Sequence, residues 1–197
     1  MKISAVLVLI GANVAAYLVQ LSTNHQLEFS LALWPLQALE GHVYFRPWQV
    51  ITYSFLHDPD NKFHLLFNML QLWMVGAELE RNVGSARLLA CYFASVVTAA
   101  LAQLIVPFVI AGPTGPTLGA SGGVFGLLLA YAMMFPNRKV VLLILPIPMP
   151  AWLFAVILAT LELVLGVTGT FSGIAHFAHL GGLVGAALVV TGGACLG

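Results

Sequence analysis

The segment 119-GASGGVFGLLLAYAMMF-135 is apolar almost throughout, and it follows the breaker-rich run 112-GPTGP-116. Its glycines allow a neighbouring helix to approach closely, because no Cβ intrudes there. Ser121 lies near its start, where the backbone N–H groups of a helix lack intrahelical partners and can face a developing anion. Two interpretations fit this segment. It is either a packing face in which Ser121 is incidental, or a membrane helix that presents a nucleophile.

The composition of the whole chain indicates a membrane protein. Of its 197 residues, 60% are hydrophobic and 7% are charged, with a mean hydropathy of +0.99, whereas about a quarter of residues are charged in soluble proteins. No charged residue lies between Arg87 and Arg138, and only Glu162 follows Lys139. Because a transmembrane helix needs roughly 20 apolar residues, each of these two intervals has room for two spans. The formal net charge is zero, so we expect no nucleic-acid partner.

The apolar segments predict an all-α polytopic membrane protein, a single domain over residues 1–197 with six transmembrane helices. We place these helices at 3–21, 63–79, 86–110, 119–135, 150–166 and 174–193. The first is long enough to be a retained span rather than a signal peptide. The long aromatic connection after it suits the membrane surface, with short helices expected at 31–40 and 46–56. The prolines within 140–150 predict an extended lead-in to the fifth helix.

The basic residues predict the orientation of this bundle. In a six-span arrangement, five basic residues fall on the side of the N-terminus: Lys2, Arg81, Arg87, Arg138 and Lys139. The other side has two, Arg46 and Lys62. Cytoplasmic connections are the richer in Lys and Arg, so we expect a cytoplasmic N-terminus. A compact chain of this kind suits a prokaryotic plasma membrane.

Polar residues gather near the outer ends of the second, fourth and sixth predicted helices, and these are His64, Asn68, Ser121, His176 and His179. Polar groups are costly in lipid and usually face the bundle interior or a water-filled cavity. A serine close to a histidine is the minimum for nucleophilic acyl transfer, and the spacing alone leaves both His176 and His179 open as the base. Phe125 lies one turn after Ser121, on the same helix face. The alternative interpretation of each polar residue is an interhelical hydrogen bond.

In their order along the chain, six motifs resemble the rhomboid family of intramembrane serine proteases. They are FRPW at 45–48, FLH at 55–57, HLLFN at 64–68, GAELERNVG at 76–84, GASG at 119–122 and AHLGG at 178–182. The resemblance implies a six-helix core in which Ser121 is the nucleophile and His179 the general base. It also implies that His64, Asn68 and the backbone N–H of Ser121 stabilise the oxyanion. Phe125 stands where many relatives have a tyrosine packed beneath the histidine.

The resemblance further implies that single-span transmembrane proteins are cut in a hydrated cavity at the outer face of the lipid bilayer, with no metal and no cofactor. We expect a Ser–His dyad held by packing, since no carboxylate is expected near His179. Glu162 is left with two interpretations, a functional group or a structural one. The fifth helix and the 111–118 connection are candidate gates for substrate. The rivals are a rhomboid-like pseudoprotease that binds membrane clients without cleavage, and a small transporter or channel. The sequence gives no sign of the oligomeric state.

Overall fold

The computed structural model describes residues 3–23, 26–36, 44–110, 115–141, 147–169 and 175–193, and within them the protein is mostly helical. The helices are α1 (Ala5–Ser22), α2 (Gln26–Leu31), α3 (Gln49–Thr52), α4 (Lys62–Gln71), α5 (Ala77–Val83), α6 (Ser85–Ile110), α7 (Ser121–Met134), α8 (Ala151–Thr168) and α9 (His176–Thr191). A 3-10 turn at Tyr53–Phe55 continues α3, and a π-helical turn at Leu72–Gly76 joins α4 to α5. The strands are β1 (Lys139–Val141) and β2 (Pro148–Pro150).

Among the described residues, three helices are long and apolar enough to cross a membrane: α1, the Ser85–Val106 part of α6, and α8. Helices α7 and α9 are apolar but shorter. The predicted helical class is confirmed, and each predicted span has a helical counterpart close to its expected bounds. The number of helices that cross the bilayer stays a prediction.

The first long connection differs from its prediction. A helix was expected at 31–40, but α2 ends at Leu31, and residues 37–40 lie outside the described residues. Two features stop a helix here. Pro35 disfavours helical backbone at the residue before it, and Leu33 exchanges backbone hydrogen bonds of 2.9 Å with Thr117. The helix expected at 46–56 is present as α3 and its 3-10 turn.

Small residues bring α6, α7 and α9 into close contact. A Cβ on Gly182 of α9 would overlap the carbonyl of Gly122 on α7, so these two helix ends meet backbone to backbone. Gly181 and Gly185 lie against α6 instead, where a Cβ at either position would overlap the backbone near Thr98. The predicted approach of the fourth and sixth helices is therefore made by the Gly122–Gly182 pair.

The region before α8 is extended, as the prolines predicted. Strands β1 and β2 pair antiparallel, with Lys139 opposite Pro150, while residues 142–146 lie outside the described part of the chain. Helix α8 follows directly and lies at the edge of the bundle. Only 17% of its residues are buried, against 39% in the apolar stretch of α6.

One carboxylate joins the start of α1 to the junction of α5 and α6. Glu80 of α5 accepts hydrogen bonds from Ser4 Oγ at 2.6 Å, from the backbone N–H of Ala5 at 2.7 Å and from Ser85 Oγ at 2.6 Å. Burial opposes the ionised form, but these hydrogen bonds outweigh it and hold the pKa of Glu80 below its usual value. Glu80 thus fixes the start of α1 against the junction of α5 and α6.

Candidate active site

The close contact of α7 and α9 places a hydroxyl beside an imidazole. Ser121 is the first residue of α7, and His179 lies on the first turn of α9. Ser121 Oγ and His179 Nε2 are 2.8 Å apart, and His179 is buried, with 8% of its surface exposed. The structure therefore separates the two histidines that spacing left open, because His176 contacts α8 rather than Ser121. A histidine nitrogen at this distance can accept the hydroxyl proton of a serine.

Phe125 supports the imidazole from one side. Its ring stacks on that of His179, with centroids 4.1 Å apart and an angle of 10° between the planes. Phe125 lies one turn after Ser121 on α7, so a single helix carries both the hydroxyl and the stacking ring. The stack fixes the plane of the His179 ring.

His64 approaches the same point from α4. The backbone N–H of Asp58 donates to His64 Nδ1 at 3.2 Å, so a neutral ring carries its proton on Nε2. A Cβ on Gly119 would lie 2.9 Å from that Nε2 and 3.7 Å from Ser121 Oγ. Gly119 also has φ = +126°, a conformation that other residues rarely adopt. The missing side chain of Gly119 leaves the space between His64 and Ser121 open.

Asn68 lies one turn further along α4 and is 7% exposed. Its Nδ2 donates to the backbone oxygen of His64 at 2.8 Å, and the amide has a second N–H for another acceptor. The structure thus brings Ser121, His179 and His64 together and places Asn68 behind His64. The catalytic roles of these residues stay predictions.

The site contains a carboxylate that was not predicted from the sequence. Glu162 of α8 is 7% exposed, and its Oε1 lies 3.1 Å from His179 Nδ1, so the expectation of no acid near His179 was wrong. The N–H at Nδ1 does not point at this oxygen well enough to form a hydrogen bond. Helices α8 and α9 are neighbours in sequence, and Glu162 lies two turns before the end of α8. Antiparallel packing of such neighbours was the signal that could have found it.

The same carboxylate also contacts His176. Glu162 Oε2 lies 2.6 Å from His176 Nδ1, and His176 is 5% exposed. The ligand atoms of Glu162, His176 and His179 all lie within 4.8 Å of one another, a set of types that can hold a metal ion. Within this set, Glu162 Oε2 and His176 Nδ1 contact each other directly, whereas His179 Nδ1 makes no hydrogen bond among the described residues.

A second histidine lies behind His64, in the connection before α4. His57 is fully buried, and both of its ring nitrogens are without a hydrogen-bond partner among the described residues. Its ring centroid is 5.1 Å from that of His64. Burial, reinforced by the neighbouring His64, lowers the pKa of His57 to about 3. His57 is therefore a neutral packing group beneath His64.

His57 predicts a dependence of stability on pH. Its pKa is about 3 in the folded protein and about 6.5 in an unfolded chain, so the unfolded chain takes up the proton first. The contribution of this neutral ring to the free energy of unfolding is complete above pH 6.5. It falls by about 1.4 kcal/mol per pH unit as the pH is lowered toward 3. Thermal unfolding in detergent should therefore show a larger drop in midpoint from pH 7 to pH 5 for the wild type than for His57→Leu. Equal drops in the two proteins would contradict this assignment.

Comparison with known proteins agrees with the resemblance seen in the motifs. A family model described as the rhomboid domain matches residues 44–194, a range that contains every residue of this site. The mitochondrial rhomboid protein 1 of Saccharomyces cerevisiae is 33% identical over 120 residues, which are 60% of this chain and 34% of that protein. The rhomboid protease GluP of Bacillus subtilis is 34% identical over 141 residues, 70% of this chain and 24% of that protein.

A third relative is more distant. The rhomboid protease GlpG of Yersinia pestis is 26% identical over 125 residues, 64% of this chain and 41% of that protein. The chain thus spans between 24% and 41% of the length of these relatives.

Proposed function

We propose, from the premise that this chain belongs to the rhomboid family, that it is an intramembrane serine endopeptidase. Its apolar helices and its family make it an integral membrane protein. The observation that carries the proposal is the 2.8 Å distance between Ser121 Oγ and His179 Nε2 in a helical bundle of this composition. Ser121 is the nucleophile and His179 the general base.

The chemistry follows from this pair. Ser121 Oγ attacks the carbonyl carbon of the scissile peptide bond while His179 Nε2 takes the hydroxyl proton. The imidazolium then gives that proton to the leaving nitrogen as the C–N bond breaks, which leaves an acyl-serine. A water molecule attacks this ester and loses a proton to the same Nε2. The imidazolium then returns that proton to Ser121 Oγ as the acyl C–O bond breaks, and the second product leaves with a carboxyl group. No step draws on a metal or a cofactor.

We assign three donors to the stabilisation of the oxyanion in the tetrahedral intermediate. The backbone N–H of Ser121 belongs to the first turn of α7, where N–H groups lack intrahelical partners. The Nε2–H of His64 and the remaining N–H of Asn68 come from one face of α4. Donors of this kind stabilise charge strongly when they are fixed before the reaction begins.

Replacing His64 or Asn68 with alanine should lower kcat by about 10²–10³-fold, the usual cost of losing one oxyanion donor. Initial rates on a transmembrane peptide in liposomes measure this effect. Leu66→Ala is the matched control, because Leu66 lies on the same helix with 54% of its surface exposed. If the variant that lacks His64 or the one that lacks Asn68 keeps the wild-type kcat, the replaced residue does not stabilise the oxyanion.

We further propose that six helices span the bilayer with the N-terminus in the cytoplasm, so that the site opens to the outer face. Substrates are single-span proteins that reach the site from the lipid. Their helix must unwind near its outer end, and unpaired backbone groups cost several kcal/mol each in hydrocarbon. Helix-weakening residues at that end should therefore favour cleavage. The sparsely buried α8 is the candidate gate.

A cleavage assay tests the proposal directly. The purified protein is placed in liposomes with two single-span peptides, one with Gly and Pro near its outer end and one with Leu throughout. We expect mass spectrometry to find a cut near the outer end of the first peptide and much less product from the second. Tight binding of both peptides without any product would support a non-cleaving client binder instead.

A further inference from the structure

The carboxylate of Glu162 lies between two imidazoles in the interior of the protein. Its Oε2 is 2.6 Å from His176 Nδ1, and its Oε1 is 3.1 Å from His179 Nδ1. All three side chains are buried, with 5% to 8% of each residue exposed. A buried carboxylate is costly unless it is paired. The sole charge after Lys139 is therefore held by two histidines, one of which also faces Ser121.

We infer that Glu162 is a positioning residue for His179, anchored in turn by His176. The four side chains form a continuous series from Ser121 through His179 and Glu162 to His176. In this arrangement Glu162 selects the tautomer and the orientation of His179 and stabilises the imidazolium that forms during attack. The inference rests on the proposed function, since it assigns a role in the same reaction.

The tautomer is the first reason. His179 can take the proton of Ser121 only if its Nε2 is unprotonated, which requires the proton of the neutral ring to reside on Nδ1. A carboxylate beside Nδ1 favours that form. The N–H direction is not yet aligned with Oε1, and hydrogen bonds of this kind often become shorter and straighter only when substrate is bound.

The orientation of the ring is the second reason. Stacking on Phe125 fixes the plane of the His179 ring but leaves rotation within that plane. Contacts at both edges remove this freedom, because Ser121 lies at Nε2 and Glu162 at Nδ1. The short contact with His176 holds the second oxygen of Glu162, so the first oxygen stays turned toward His179.

A purely structural tie between α8 and α9 is the rival explanation of these contacts. Loss of such a tie would loosen α8, which is already sparsely buried. It would change stability, KM or the access of substrate, and it would leave the rate of the chemical step unchanged. Loss of a positioning residue would lower kcat and leave KM unchanged. The two roles therefore differ in their kinetics.

The experiment compares four variants with the wild type: Glu162→Gln, Glu162→Asp, His176→Gln and the control Leu161→Ala. Leu161 precedes Glu162 on α8 and is 48% exposed. For each protein, kcat and KM are measured on the cleaved peptide, together with the rate of fluorophosphonate labelling at Ser121 and the unfolding midpoint in detergent.

We expect Glu162→Gln to lower kcat by about 10²–10⁴-fold with KM within about twofold of the wild type, in line with the loss of the acid in serine triads. Labelling of Ser121 should slow by a similar factor. Glu162→Asp keeps the charge and should lose less. His176→Gln should also lose less than Glu162→Gln, because His176 acts on His179 only through Glu162. Leu161→Ala should match the wild type.

A wild-type kcat in Glu162→Gln would overturn the inference. A rise in rate would also overturn it, because it would show that the contacts of Glu162 with the two histidines only restrain α8. If Glu162→Gln does not fold, Glu162→Asp carries the test, and a wild-type kcat in that variant would be equally decisive. A wild type that neither cleaves the peptide nor labels at Ser121 would instead contradict the proposed function, and the inference would fall with it.

Discussion

Replacing Ser121 with alanine is expected to reduce cleavage by about 10⁵–10⁶-fold, to the background of the assay, as is found when the nucleophile of a serine protease is removed. The change deletes the hydroxyl of the proposed nucleophile and spares the fold, since alanine has the highest intrinsic helix propensity. The rate of product formation in liposomes and covalent labelling by a fluorophosphonate both report this loss. Both should fall to background together.

The control for this variant is Ser22→Ala. Ser22 is an exposed serine at the end of α1 whose hydroxyl donates to the backbone of Val19. Its loss removes an exposed hydroxyl of the same kind from a helix that carries no catalytic candidate, and it should leave the rate unchanged. Cleavage by Ser121→Ala above about 1% of wild type would mean that another group performs the attack, since nucleophile loss alone removes far more activity.

Replacing His179 with asparagine should have an effect of the same size, because serine is a weak nucleophile without its base and members of such a unit are grossly non-additive. The decisive measurement is fluorophosphonate labelling at Ser121 in His179→Asn. The serine is still present, but Nε2, which lies 2.8 Å from it in the wild type, is gone. We therefore expect no labelling above background.

His176→Asn is the matched comparison on the same helix. His176 contacts Glu162 and not Ser121, so its loss should slow labelling without abolishing it. The combination Ser121→Ala with His179→Asn should be no less active than either single variant. Labelling of His179→Asn at the wild-type rate would show that His179 is not the base.

Much of the helical arrangement could be predicted from the sequence, because membrane helices leave long apolar runs between charges. The approach of α7 to α9 was also predictable from the glycines of both helices, although Gly182, and not the Gly181–Gly185 spacing, meets Gly122. His64 was expected near Ser121 from its depth in the membrane, and the structure places it beside Gly119. These features depend on segment length and on the absence of side chains, which a sequence displays directly.

Other features depend on rotations and pairings that a sequence does not display. The contact of Glu162 with His179 requires α8 to turn one particular face toward α9, and the residues around Glu162 on α8 are largely apolar on every side of the helix. The first short helix was expected at 31–40 but lies at Gln26–Leu31, a shift that depends on backbone pairing between Leu33 and Thr117, which are distant in sequence. The orientation of Gly181 and Gly185 toward α6 has the same origin, because both sides of α9 carry small residues.

The carboxylate of Glu80 has a consequence for the order in which the protein is assembled. Glu80 accepts from Ala5, 75 residues earlier in the chain, and so completes the first turn of α1 from outside that helix. During synthesis α1 leaves the ribosome long before this acceptor exists, so the first N–H groups of α1 must donate hydrogen bonds to water until then. Helix α1 is made before α5 and α6, yet its first turn is completed only after the junction of α5 and α6 has emerged.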